Sequence, residues 1–90
     1  DTFIIPNPIL IAEVLSDSTR RYNFIDKFIQ YRKIDSLQYY LMFEPEKQVI
    51  FFYEKAIDGD WVAKTYTEPE ELVKLPLLNA TISLSEIYNR

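Results

Sequence analysis

Ile9-Leu10-Ile11-Ala12-Glu13-Val14-Leu15 decides how this chain folds. Pro6-Asn7-Pro8 comes just before it and forces an extended approach, because a residue ahead of proline is pushed out of the helical region. A short apolar run without alternation reads as a central strand covered on both faces, as in sheets flanked by helices. The run contains one exception, the acid Glu13.

Working outward, Ser16-Asp17-Ser18-Thr19 offers side-chain oxygens suited to capping a helix, and the stretch that follows has helical periodicity as far as Ile34. At 100° per residue, Phe24, Phe28 and Tyr31 cluster together, and Ile25 and Ile29 extend the same arc. Asn23, Asp26, Gln30 and Lys33 fall opposite, with Lys27 at the border. Beyond the helix, Tyr39–Phe43, Val49–Lys55 and Trp61–Thr67 are strand-like and are separated by Glu44-Pro45-Glu46-Lys47 and Asp58-Gly59-Asp60, which predicts a three-stranded antiparallel meander. A short strand is expected near Leu72–Leu75. Ser83-Leu84-Ser85-Glu86 has the spacing of a capping box, predicting a short helix that ends at Tyr88 or Asn89. The expected class is α+β, a mixed sheet with flanking helices, with residues 1–90 forming a single partial domain.

Ninety residues bury only roughly 60% of the surface that the unfolded chain exposes, so the core has to be economical. Apolar residues make up 48% of the chain, including six Phe, seven Tyr and one Trp, which places it among folded rather than disordered sequences. With no Cys and no His, thiolate zinc sites, disulfides, imidazole bases and Ser-His-Asp triads are all excluded. A bound metal would be a hard cation held by carboxylates, carbonyls and water: magnesium, manganese or calcium. Gly59 is the single glycine, too few for a phosphate-cradling loop. The beginning, Asp1-Thr2-Phe3-Ile4-Ile5, lacks a basic n-region, and no apolar run approaches the length that spans a bilayer, so a cytoplasmic location is expected. An apolar strand so close to a first residue that is not Met reads as a start inside a larger domain.

The net charge is −4, distributed unevenly. Between residues 17 and 35, Arg20, Arg21, Lys27, Arg32 and Lys33 outweigh Asp17, Asp26 and Asp35, leaving the helical segment as the place that welcomes a phosphate backbone.

An ionised carboxylate inside a covered strand costs several kcal/mol unless something pairs or ligates it. Glu13 is therefore a site residue, or the strand is less central than it looks, or Glu13 pairs with an arginine for packing reasons alone. Lys27 lies one helix away, at the edge of the face that packs on the sheet; it either steadies charge at a site or lays its stem over apolar surface. Arg21 and Arg32 project within the apolar arc as weaker candidates for phosphate contact. Phe51, Phe52, Tyr53, Trp61 and Tyr66 suit core and cross-strand packing better than base stacking. Glu68-Pro69-Glu70-Glu71 reads as a solvated turn.

The segment Pro8–Thr19, then Asp26-Lys27-Phe28, Tyr31-Arg32, Ser36-Leu37-Gln38-Tyr39-Tyr40-Leu41, Leu75-Pro76 and Leu84-Ser85-Glu86-Ile87-Tyr88, resembles the Uma-two family, endonuclease-like proteins of unknown function common in cyanobacteria. That family is placed in the PD-(D/E)XK restriction-endonuclease-like superfamily. The resemblance implies that the chain is the C-terminal part of such a domain and lacks its first strands. It makes Glu13 the metal-binding acid of the second motif and Lys27 the catalytic lysine, moved to the helix from the usual position two residues on, here Leu15. The first acid, an Asp, would precede Asp1. It further implies magnesium or manganese as cofactor, DNA as the partner of the parent, phosphodiester hydrolysis as the reaction, and an incomplete, inactive site in this chain alone. Asn23, Tyr39 and Phe43-Glu44-Pro45 depart from the family pattern of Asp, Glu and Val-Asp-Pro. Sheet edges left open by the absent strands lead us to expect a homo-oligomer.

Overall fold

A computed structural model describes the backbone of residues 7–15 and 20–88, and the side chains of residues 7–15 and 26–88. Its first unit is a strand, β1 (Leu10–Val14), a helix, α1 (Arg20–Tyr31), and a second strand, β2 (Tyr39–Glu44), that runs parallel to the first. Parallel neighbours need a crossover, and the helix supplies it. The cap expected at Ser16–Thr19 lies outside the described residues. The helix stops at Tyr31, three residues before Ile34. There the hydrogen bonds tighten to three-residue spacing, with Lys33 N–H donating to the Gln30 carbonyl and Ile34 N–H to that of Tyr31.

From β2 the chain forms the meander expected, through β3 (Val49–Lys55) and β4 (Trp61–Tyr66), both antiparallel to their predecessors. The turn into β4 needs its glycine: Gly59 has φ of 91°, its N–H donates to the Ala56 carbonyl, and Asp58 Oδ1 accepts from Asp60 N–H. The resulting mixed sheet has the order β1-β2-β3-β4. A separate hairpin follows, β5 (Leu72–Leu75) and β6 (Ala80–Ser83), then a short helix, α2 (Leu84–Tyr88). The partner strand β6 has no counterpart among the expected elements. Its four residues are too few to show a period, and the link through Asn79 at φ of 52° is not an obvious turn signal.

Side chains alternate across a strand, so the sheet sorts its residues into two layers. One face packs Ile11, Leu15, Leu37, Tyr40 and Met42 against Phe28 and Tyr31 of α1. The other packs Tyr39, Leu41, Ile50 and Phe52 against Val73, Leu75 and Leu84 of the hairpin and α2. Aromatic pairs tie α1 down: Phe28 stacks on Tyr53 at 4.2 Å and meets Trp61 edge-on at 5.7 Å. Phe51, Phe52, Tyr53, Trp61 and Tyr66 thus serve packing. Ile29 leaves the expected arc and is exposed.

Both faces of β1 are covered, but among the described residues it pairs laterally with β2 alone and stands at the sheet's edge, and Val14 is 57% exposed. Apolarity reports coverage of a strand's faces and carries no information about its neighbours in the hydrogen-bonding direction.

The capping box forms at α2. Glu86 N–H donates to Ser83 Oγ at 3.2 Å and Ser83 N–H to Glu86 Oε1 at 2.9 Å. Those bonds hold the Glu86 carboxyl below its ordinary value of 4.5. A lowered folded value gives stability that is present above the unfolded value and lost as pH falls through the folded one. Glu86→Gln should remove this component of the acid-side fall in melting temperature, and Ser83→Ala should cost about 1 kcal/mol near pH 7. Thermal melts from pH 6 down to pH 2 check both. The acidic turn is also built: Glu71 Oε1 accepts from the N–H groups of Thr67 and Glu68, each at 2.9 Å.

Candidate active site

Register decides what Glu13 faces. In β1 it stands beside Met42 of β2, and Ile11 beside Tyr40, so Ile11, Glu13, Tyr40 and Met42 all project toward α1. There the carboxylate is buried, with 8% of its side chain exposed. From α1, Lys27 reaches down and places Nζ 2.6 Å from Glu13 Oε2. From β2, the Tyr40 hydroxyl donates to Oε1 at 2.5 Å. One oxygen therefore meets a cation on the helix, and the other meets a phenol on the neighbouring strand. Both contacts have the short lengths of charge-assisted hydrogen bonds.

The two donors differ in freedom. The side chain of Lys27 is 35% exposed, a four-carbon stem with its end near solvent. Tyr40 is fully buried, its ring stacked 6.0 Å from Phe28 and met edge-on by Tyr31 at 5.3 Å. The hydrogen bond to Glu13 raises the Lys27 ammonium above its ordinary 10.5, against the opposing pull of burial. Burial, followed by the same carboxylate, pushes the Tyr40 phenol far above 10. At neutral pH both groups are donors, which suits Lys27 to stabilising negative charge and makes it a poor general base.

The structure thus brings together the two residues singled out in the sequence, Glu13 and Lys27, and adds Tyr40. Tyr40 lies in an apolar strand and reads as core from sequence; its signal is one of parity, available only once the β1–β2 register is known. Arg32 is exposed in the turn just beyond α1, and the side chains of Arg21 and Asn23 lie outside the described residues. Tyr39, one of the departures from the family pattern, points to the opposite face of the sheet. It stacks on Phe52 at 5.9 Å there, and its hydroxyl accepts from Leu77 N–H. That substitution therefore leaves the surroundings of Glu13 intact. Glu44, expected to begin a turn, is the last residue of β2 and buried at 6% exposure.

As a metal ligand, Glu13 has the right chemistry for a hard divalent ion: an anionic oxygen, buried, with an ammonium beside it that an arriving cation could displace. It fits one position of such a shell. Among the described residues no three Asp, Glu, His or Cys side chains gather into a metal-binding group, so they do not complete one. No helix of the described residues is long and apolar enough to cross a membrane.

Two proteins are similar to this chain in sequence, and a solved structure is similar to it in fold. The uncharacterised protein slr1290 of Synechocystis sp. is 34% identical over 87 residues, a stretch covering 97% of this chain and 45% of that protein. A second uncharacterised Synechocystis protein, sll1609, is 40% identical over 58 residues, covering 64% of this chain and 33% of its own length. This chain therefore spans less than half of the curated relatives it matches. A crystal structure from Anabaena variabilis, described as a putative nuclease belonging to DUF820, superimposes with a TM-score of 0.73 at 19% identity, over 91% of this chain and 44% of that one. At that identity the likeness is one of fold: α+β, restriction-endonuclease-like, a mixed sheet with flanking helices. The sequence match extends over residues 1–85, and by it the chain belongs to the Uma2 family, "Putative restriction endonuclease".

Proposed function

We propose that this chain carries the glutamate–lysine half of the active site of a divalent-metal-dependent endonuclease that hydrolyses phosphodiester bonds in DNA. The 2.6 Å contact between Lys27 and Glu13 carries this reading. It joins residues fourteen positions apart, from a strand and a helix, at the one acid of an otherwise apolar run. As a PD-(D/E)XK-type site, it would use Glu13 to hold magnesium or manganese together with a second acid from outside this chain. The ion, when bound, would activate water and polarise the phosphate. Lys27, an ammonium at neutral pH whether or not it still touches Glu13, would steady the charge that develops on the phosphate oxygens. Residues 1–90 would then form one partial domain, inactive by itself, of a cytoplasmic protein. The open edges of β1 and β4 among the described residues would pair within that protein or between copies of it.

Calorimetry with manganese on the full-length protein that carries this chain tests the reading. Glu13→Ala should weaken binding by at least about tenfold, and DNA cleavage should require Glu13 and be absent from the 90-residue chain. Equal affinity in the variant and the unchanged protein would sink it. One observation favours a second reading, a non-enzymatic interaction module: Lys27 and Tyr40 engage both oxygens of Glu13, an arrangement sufficient to keep a buried carboxylate without any ligand. That reading expects no manganese binding in either protein.

A further inference from the structure

The two donors that hold Glu13 are unequal in a way that matters for any ligand arriving at the carboxylate. Resting on the half-site reading above, we infer that Tyr40 is the positioning residue of the candidate site: its hydroxyl fixes Glu13 Oε1, so that Oε2 is the oxygen released to an incoming cation when Lys27 swings away. The Tyr40 ring has no room to follow. It is completely buried, lies nearly parallel to Phe28 with planes 8° apart, and is braced by Tyr31 and by Tyr53 at 6.2 Å. Lys27 is on the solvent side of the same carboxylate, at the end of a flexible stem. A carboxylate anchored at one oxygen by a rigid neutral donor keeps its orientation when its charged partner departs. Hydrogen bonding to the non-coordinating atom of a ligand has the same effect at established metal centres.

Manganese calorimetry on the full-length protein, comparing Tyr40→Phe, Tyr31→Phe and Glu13→Gln, tests the inference. Tyr40→Phe keeps the ring and its stacking and should weaken manganese binding by about 10- to 100-fold, while Tyr31→Phe should bind as the unchanged protein does. A merely structural role for Tyr40 would lower the melting temperature and leave the affinity of the folded protein unchanged, and that result overturns the inference. If Glu13→Gln also binds like the unchanged protein, the half-site reading falls first and takes the positioning role with it. If Glu13→Gln loses binding and Tyr40→Phe does not, the positioning role alone falls. Should Tyr40→Phe fail to fold, the hydroxyl proton of Tyr40, followed by NMR during a magnesium titration of the unchanged protein, decides the matter. It should remain protected from exchange at saturation, and its loss there would overturn the proposal.

Discussion

Lys27→Met in the full-length protein is expected to lower DNA cleavage by roughly 100- to 1,000-fold, the usual cost of removing one preorganised donor from a developing charge, and to leave manganese affinity unchanged or slightly tighter. The two halves of that expectation come from the same contact. Lys27 Nζ occupies Glu13 Oε2, so a divalent ion has to displace the ammonium; removing it abolishes a competitor for the ligand. In the proposed reaction, however, the same ammonium would face the charge that develops on the phosphate. Away from Glu13 a lysine is still an ammonium at neutral pH. Methionine keeps the stem and its packing and removes only the charge. Metal titration by calorimetry and single-turnover cleavage at saturating manganese separate the effects. A parallel loss of affinity and cleavage would instead mean that Lys27 builds the site, and unchanged cleavage would remove it from the chemistry.

Much of this arrangement is legible in the amino-acid sequence, because it rests on features that a linear chain carries. The meander from Tyr39 to Tyr66 follows from β-rich runs punctuated by Pro45 and by Gly59, and each strand lies within a residue or so of its expected bounds. The capping box at Ser83 and Glu86 is a four-residue code read locally. Glu13 stands out through composition alone, as an acid with apolar neighbours on both sides. What stays hidden in the sequence is lateral and long-range. The place of β1 at the sheet's edge among the described residues depends on which strands lie beside it, and coverage of its faces is silent on that point. The pairing of β5 with β6 involves two four-residue strands linked by a 3-10 turn, too short to declare a period. Tyr40 reaches Glu13 through a register set by the whole β1–α1–β2 unit; from the sequence it is one of two adjacent tyrosines, and parity assigns Tyr39 to one face and Tyr40 to the other.

The same unit determines how firmly the site is held, which makes Phe28 the residue whose loss should be felt most in stability. Phe28 follows Lys27 directly in α1 and plants the helix on the sheet, stacking on Tyr53 and Tyr40 and meeting the edge of Trp61. Its removal takes away the transfer free energy of a largely covered ring, the aromatic contacts, and the packing of the atoms left around the void. Phe28→Ala should therefore cost about 3 kcal/mol, a large share of the roughly 5–15 kcal/mol by which folded proteins are stable. Gln30→Ala, two residues on at an exposed position of the same helix, should change stability by no more than about 0.5 kcal/mol. Denaturant titrations of both variants check the contrast. The loss should extend to the candidate site, because the Lys27 backbone is positioned by the turn that Phe28 anchors. Manganese affinity should fall by a smaller factor in Phe28→Ala than in Tyr40→Phe, since a loosened helix still leaves Glu13 Oε1 fixed from β2. If Phe28→Ala disturbs manganese binding more than Tyr40→Phe does, the carboxylate is organised from the helix rather than from the neighbouring strand.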